Sequence, residues 1–192
     1  MITIREEKIV DVAAREALLD AAYGASRFTK ASERLREGRL PANGLSLVAV
    51  ERGRIVGTVR LWDVTAGPER PALLLGPLAV DPAYRNRGIG STLVRRVIAR
   101  TRLAGHRAIV LVGDASYYGR FGFTAAPTGE LWMPGRFERD RLLALELKSG
   151  ALTGARGLIA ATGALAPKPD LAALVAIDRR TQRPHARRAL AA

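Results

Sequence analysis

The spacing of apolar residues along the chain predicts alternating helices and strands. Apolar positions at helical spacing predict helices over 9–23 and 88–104, with a second short helix over 30–37. Strands are expected at 2–4, 45–50, 55–64, 72–80, 108–112, 122–125 and 142–147. The helix over 88–104 joins two buried strands, which is typical of a right-handed parallel unit. The pattern therefore predicts an α/β fold, with a mixed, twisted sheet of six or seven strands and helices on both faces.

One strand contains a residue that a central strand does not readily accommodate. Pro77 follows Gly76 within the apolar run 72–80. Proline has no N–H to donate, so it is found in a central strand only where the pairing is interrupted. We therefore predict a β-bulge at Gly76–Pro77, which would leave backbone polar groups free to bind an extended ligand.

The same strand leads into a segment with the composition of an anion-binding loop. Residues 85–90 read Arg-Asn-Arg-Gly-Ile-Gly and open the long helix. Glycines let the backbone approach a phosphate, and the first N–H groups of a helix have no partners within it. A P-loop is excluded because Gly90, and not lysine, precedes Ser91. A dinucleotide fingerprint is excluded because Leu93 replaces its third glycine.

Composition limits the chemistry that the chain can perform. The 192 residues include no cysteine and only two histidines, which excludes a thiolate nucleophile and disfavours a metal site or a serine–histidine triad. The sequence has no apolar segment long enough to span a bilayer and no apolar leader core, so we expect a cytoplasmic protein without a membrane partner. The net charge of +13 is compatible with a polyanionic ligand or nucleic acid, but 5% aromatic residues offer little surface for stacking bases.

Two segments together resemble one enzyme superfamily. The run Leu-Ala-Val-Asp-Pro-Ala-Tyr-Arg-Asn-Arg-Gly-Ile-Gly-Ser-Thr-Leu-Val at 78–94 resembles the acetyl-CoA-binding motif of the GNAT N-acetyltransferases, with its [Q/R]-x-x-G-x-[G/A] core. The run Tyr-Tyr-Gly-Arg-Phe-Gly-Phe at 117–123 resembles the Tyr-x-x-x-Gly-Phe element of the same superfamily, in the form found in a bacterial subgroup of predicted acetyltransferases. The resemblance covers residues 45–125 well.

The resemblance implies a GNAT-like fold and an acetyl-CoA-dependent N-acetyltransferase that needs no metal. It implies that pantetheine pairs with the strand, that the pyrophosphate lies on the N–H groups of residues 87–91, and that Arg85 and Arg87 add positive charge. The implied cofactor-binding residues are Leu78, Ala79, Val80, Arg85, Asn86, Arg87, Gly88, Ile89, Gly90 and Ser91. Tyr118 is the implied general acid: a phenol, with a pKa of about 10, can protonate a leaving thiolate whose thiol has a pKa of about 8.5.

Other parts of the chain leave alternatives open. Residues 1–149 are expected to form the acetyltransferase domain, and residues 150–192 a basic extension rich in Ala, Gly and Arg. The acceptor is expected to be an amine of a small molecule or a protein, in a site formed by the N-terminal helices and the loop 65–71. The general base is not identified; Asp63, Glu69, Asp114 and Glu130 are candidates. A homodimer, a non-catalytic acyl-CoA-binding module and a nucleic-acid-associated protein are the alternatives to be tested.

Overall fold

The computed structural model describes residues 1–167. Its three helices are α1 (Val12–Tyr23), α2 (Ile89–Leu103) and the short α3 (Ala115–Tyr118). The eight strands are β1 (Ile2–Glu6), β2 (Ser46–Glu51), β3 (Arg54–Ala66), β4 (Pro71–Val80), β5 (Ala108–Val112), β6 (Leu131–Trp132), β7 (Leu142–Glu146) and β8 (Gly157–Ala161). The helix expected over 30–37 is wrong: residues 25–29 and 33–35 form short 3-10 turns.

The strands form one mixed sheet, which confirms the predicted fold class. Its main order is β1-β2-β3-β4-β5-β7, with β8 paired to both β3 and β6. Among the strands of residues 1–167, the parallel pairs are β4–β5 and β6–β8, and the others are antiparallel. The sheet has eight strands instead of six or seven because β6 and β8 were not anticipated. The strand expected at 122–125 is reduced to a single bridge between Thr124 and Ala144.

The sheet is covered on both faces, as the apolar pattern requires. On one face, Ile89, Leu93 and Val97 of α2 pack on alternate residues of the central strands. These residues recur at helical spacing, so a single side of α2 is buried. On the opposite face, Leu18 and Leu19 of α1 contact Val48 of β2. Arg100 and Arg102 lie in the last turn of α2, where positive charge is favoured by the helix dipole.

Strand β4 carries the predicted bulge. Val59 of β3 pairs with Leu78, whereas Leu61 pairs with Leu75, so β4 has one additional residue in this interval. The additional residue falls at Gly76–Pro77, which confirms the prediction. The indole N–H of Trp62 donates to the Gly76 carbonyl over 2.6 Å and satisfies a group that the bulge removes from the ladder.

The first residues beyond position 149 belong to the folded core. Ala151, Leu152, Ala155 and Ile159 are buried, and β8 pairs with residues 64–66 of β3. The proposed boundary at residue 150 remains a prediction, and the segment that follows it packs on the domain. The basic stretch between Arg179 and Arg188 lies outside the described residues. Within residues 1–167, no helix combines the length and apolar character needed to cross a membrane.

Candidate active site

The loop between β4 and α2 is held in place by its own backbone and by Asp81. The Asp81 N–H donates to the Val56 carbonyl over 3.0 Å, and the Asp81 carboxylate accepts from the Ala83 N–H over 2.9 Å. The loop ends at Gly88, whose φ of 73° lies in the left-handed region. Glycine adopts this conformation without steric cost, which explains its place at the start of the helix.

The first turn of α2 presents unpaired N–H groups. The first intrahelical bond runs from the Thr92 N–H to the Gly88 carbonyl over 3.0 Å, and no side chain caps the helix. The N–H groups of Ile89, Gly90 and Ser91 therefore precede the helical ladder. Together with the helix dipole, they form a surface that favours an anion.

The two arginines of this loop differ in their surroundings. Arg85 is exposed, whereas Arg87 pairs with Glu51 over 3.0 Å and lies 4.9 Å from the centre of the Tyr84 ring. The hydrogen bond from Arg87 lowers the pKa of the Glu51 carboxyl group. To contact an anion at the N-terminus of α2, Arg87 must therefore either release Glu51 or bind the anion and Glu51 together.

Strands β4 and β5 separate beyond two residue pairs. Leu73 pairs with Ile109 and Leu74 with Val110, and no further pairs follow. On their other edge, Leu78, Ala79 and Val80 remain paired with β3. The edge of β4 after the bulge is thus free of β5. The Tyr23 hydroxyl of α1 donates to the Leu78 carbonyl on this side.

A cavity of about 220 Å³ lies where the two strands separate. It is lined by residues 75–78 of β4, Val112 at the end of β5, the following Gly113, and Tyr118 of α3, and the segment from Tyr23 to Arg36 closes it. The N-terminal segment expected to shape the acceptor site thus contributes to this cavity, and its role toward an acceptor remains a prediction. The loop 65–71, also expected at the acceptor site, does not line this cavity: it joins β3 to β4 at the other end of β4, where Gly67 contacts the backbone of Arg156.

Tyr118 lies between this cavity and the aromatic residues of its own segment. Its ring centre is 4.9 Å from that of Tyr117 and 5.8 Å from that of Phe123. Burial, followed by the neighbouring Tyr23 and Tyr117 phenols, raises the pKa of Tyr118. The phenol consequently retains its proton throughout the physiological range, and the same shift makes it a weaker acid toward a leaving thiolate.

Gly113 provides the space that the Tyr118 ring occupies. A Cβ atom at residue 113 would lie 2.4 Å from Cε2 of Tyr118. We expect Gly113→Ala to displace the ring and, if Tyr118 is the general acid that the sequence predicts, to lower kcat about tenfold, because small misplacements of reacting groups are costly. Gly119→Ala is the matched control, since a Cβ there would have no neighbour within 4 Å. Equal rates for both variants in a steady-state acetyl-transfer assay would contradict this role of Gly113.

Tyr117 connects the aromatic segment to the opening of α2. Its hydroxyl oxygen would lie 2.8 Å from a Cβ atom at Gly90, so the glycine allows a close approach. The Arg120 guanidinium stacks 4.1 Å from the Tyr117 ring centre. The two segments identified from the sequence are therefore in contact, with Tyr117 directed toward the anion-binding turn and Tyr118 toward the cavity.

Of the four carboxylates considered as general bases, Asp114 alone lines the cavity among the described residues. It accepts a hydrogen bond from the Ser116 N–H over 2.8 Å. Hydrogen bonds from Ser116 lower the pKa of Asp114, which makes it a weak proton acceptor. Within the part of the chain that the structure describes, no cluster of three His, Cys, Asp or Glu residues could hold a metal ion.

Several cavity residues were not anticipated from the sequence. Lys30 and Arg36 come from the turns after α1, and Arg141 comes from the turn before β7. Each is one arginine or lysine among 31 in the chain, with no motif around it. Only the fold brings residues more than 100 positions apart to one cavity.

The sequence model of the Acetyltransferase (GNAT) family matches residues 13–123 of this chain. Among curated proteins, the uncharacterized N-acetyltransferase YhbS of Escherichia coli K12 is 29% identical over 157 residues, covering 81% of this chain and 93% of its own. The uncharacterized N-acetyltransferase YjhQ of the same strain is 35% identical over 105 residues, covering 53% and 58% of the two chains.

Two solved structures share this architecture. The crystal structure of YhbS from Escherichia coli, in complex with CoA, superposes with a TM-score of 0.70 at 31% identity, over 84% of this chain and 89% of its own. A GNAT family acetyltransferase from Brucella melitensis, in complex with acetyl-CoA, gives a TM-score of 0.60 at 29% identity, over 88% and 94% of the two chains.

Proposed function

The chain belongs to the GNAT acetyltransferase family, and we propose that it transfers an acetyl group from acetyl-CoA to a primary amine by direct attack in a ternary complex. The proposal rests on one observation: the anion-binding turn of α2, the free edge of β4 and the cavity beside Tyr118 lie next to one another. The related structures in complex with CoA and with acetyl-CoA support acetyl-CoA as the co-substrate.

The CoA pyrophosphate binds at the first turn of α2. The N–H groups from Arg87 to Ser91 donate to it, and the exposed Arg85 adds charge. Asn86, with φ of 62°, and Gly88 provide the reversal that brings the loop to the helix. Ile89 contributes only through its backbone, since its side chain is buried in the core.

The pantetheine arm follows the free edge of β4, as an added strand would. In an antiparallel strand, the N–H and C=O groups of one residue point to the same side. The Asp81 N–H donates to Val56 of β3, and hydrogen-bonded pairs alternate along this ladder, so both the N–H and the carbonyl of Leu78 face the free edge, where Tyr23 donates to the carbonyl. That N–H can donate to a pantetheine amide or to the oxyanion that forms at the thioester.

The reaction then needs one proton donor and no covalent intermediate. The amine nitrogen attacks the thioester carbon, the C–S bond breaks, and the Tyr118 hydroxyl gives its proton to the departing thiolate. The attacking nitrogen loses its proton to solvent, and the Tyr118 phenolate regains a proton from solvent before the next turnover. Direct transfer is consistent with the absence of cysteine from the 192 residues, because no thiol is present to carry the acetyl group.

Calorimetric titration with acetyl-CoA, followed by turnover against a panel of amines, tests this proposal. Binding with turnover is the expected result. Absence of binding at high micromolar acetyl-CoA would overturn it. Binding without turnover on any amine would instead favour the alternative of a non-catalytic acyl-CoA-binding module.

A further inference from the structure

The cavity beside Tyr118 contains a buried arginine whose hydrogen-bonding groups are only partly used. Arg36 is 8% exposed and donates through Nη2 to the Glu33 carboxylate over 2.7 Å. Its Nε is buried without a partner in the structure. Its Nη1 lies 3.9 Å from the position that a Cβ of Gly76 would occupy, so the guanidinium group reaches the bulge. The buried Nε is shielded from the cavity, so the group that can donate to an acceptor placed there is Nη1, which has no hydrogen bond within residues 1–167.

Cationic side chains outnumber carboxylates in the lining of this cavity. Among the described residues, Arg27, Lys30, Arg36 and Arg141 line the cavity, against the carboxylates Glu33 and Asp114. Arg27 forms ion pairs with Glu16 and Asp20, which do not line the cavity. Glu33 forms an ion pair with Arg36. Lys30 has no ion pair within residues 1–167. Burial lowers the pKa of Lys30, and the nearby charges of Arg36 and Arg141 lower it further.

The positive wall continues outward from the cavity. A second cavity of about 200 Å³ shares Lys30, Ser32, Val112 and Arg141 with the first, and adds Arg136 and Phe137. Arg141 pairs with Glu138 over 3.3 Å at the exposed rim. The cationic groups therefore lie on the side of the cavity that is formed by the N-terminal turns and the segment before β7.

From these contacts we infer that the cavity binds the acetyl acceptor and selects an amine that also carries an anionic group, a carboxylate or a phosphate. The inference rests on the proposed acetyltransferase function and specifies its substrate class. The anion contacts Arg36, Lys30 and Arg141, while the amine is directed toward Tyr118 and the thioester. Guanidinium groups suit both anions because their N–H groups match pairs of oxygens.

The same charges favour the neutral form of an amine at a cavity whose only described candidate base, Asp114, is a weak proton acceptor. A second cationic amine is repelled by Lys30, Arg36 and Arg141, which disfavours a diamine. Cations near the attacking amine also lower its pKa, which raises the neutral fraction that can attack. The anionic group of the acceptor attracts these cations, and this attraction offsets their repulsion of the protonated amine.

Two series of amines that differ in charge test whether the cavity selects an anionic acceptor. At saturating acetyl-CoA, kcat/KM is measured for 4-aminobutyrate, butylamine and 1,4-diaminobutane, and for ethanolamine against phosphoethanolamine. We expect the anionic compound to exceed its neutral counterpart by at least about tenfold in one or both series, with 1,4-diaminobutane the poorest. A preference for 4-aminobutyrate in the first series identifies the anionic group of the acceptor as a carboxylate. A preference for phosphoethanolamine in the second series identifies it as a phosphate. Equal or better turnover of the neutral and dicationic amines would overturn the inference and leave the acetyltransferase function intact.

Substitutions in the cavity test whether its residues cause the preference for anionic amines. Arg36→Gln and Arg141→Gln should each reduce the ratio of anionic to neutral kcat/KM toward one. Arg141 and Lys30 are exposed, so Arg141→Gln and Lys30→Gln provide the test if the buried Arg36 variant does not fold. Arg102→Gln, at the exposed end of α2, makes the same charge change away from the cavity and should preserve the ratio. A ratio that falls equally in the Arg102 variant, or in none, would contradict the assignment.

Discussion

Replacing Tyr118 by phenylalanine should lower kcat by about 100- to 1,000-fold, the usual contribution of a positioned general acid. Phenylalanine retains the ring that packs against Tyr117 and Phe123, so the fold and the acetyl-CoA site should be preserved. Without the hydroxyl, the thiolate must leave unprotonated or take its proton from water. Steady-state kinetics together with calorimetric titration should show the loss in kcat at a nearly unchanged Kd for acetyl-CoA.

Tyr117→Phe is the matched control for this experiment. It removes a hydroxyl from the adjacent residue, where that group faces Gly90 and not the cavity. We expect its kcat to stay within about threefold of the original value. Full turnover of the Tyr118 variant would assign the residue to packing alone and leave the proton donor to be found elsewhere.

The environment of Tyr118 also predicts a pH dependence. Because burial raises its pKa above the ordinary value of about 10, the hydroxyl remains protonated as pH rises through the assay range. Between pH 6 and about pH 9.5, kcat should therefore rise or level off as the amine loses its proton. A fall in kcat between pH 8 and 9 would show that a different acid, with a lower pKa, is required.

The second large effect is expected at the first turn of α2. Ser91→Glu should weaken acetyl-CoA binding by at least about 30-fold, because a carboxylate would face the pyrophosphate. At about 6 Å and an effective dielectric constant near 20, two unit charges repel by about 3 kcal/mol. The fold should not suffer, since an acidic residue in the first turn of a helix interacts favourably with its dipole. Calorimetry gives the Kd, and thermal unfolding gives the stability.

Ser91→Gln separates charge from size in this experiment. Glutamine has the shape of glutamate without its charge, so binding should weaken much less than in the Ser91→Glu variant. The difference between the two variants should also shrink at high salt, which screens exposed charges. Equal weakening by both residues would indicate steric interference, and unchanged binding by both would place the pyrophosphate elsewhere.

The elements that were predicted well are those whose sequence signal is local. The helix expected over 88–104 is α2, because its apolar residues repeat at helical spacing and Gly105, with φ of 81°, ends it. The bulge was predictable because Pro77 cannot join the ladder. In contrast, β8 reads as a tail in the sequence, and only its pairing with residues 64–66 of β3 makes it a strand. Such pairing has no local signature.

The sequence by itself determined the α/β class, the family resemblance, the anion-binding turn and the tyrosine beside it. Each of these depends on residues close together in the chain, where glycine conformation, helix spacing and the missing N–H of proline act directly. The tertiary structure alone decided what lies around Tyr118. The separation of β4 from β5 and the positive wall of Lys30, Arg36 and Arg141 depend on how distant segments pack. The anion-binding turn therefore identifies the acetyl donor, whereas the packing around the cavity specifies the acceptor that we propose.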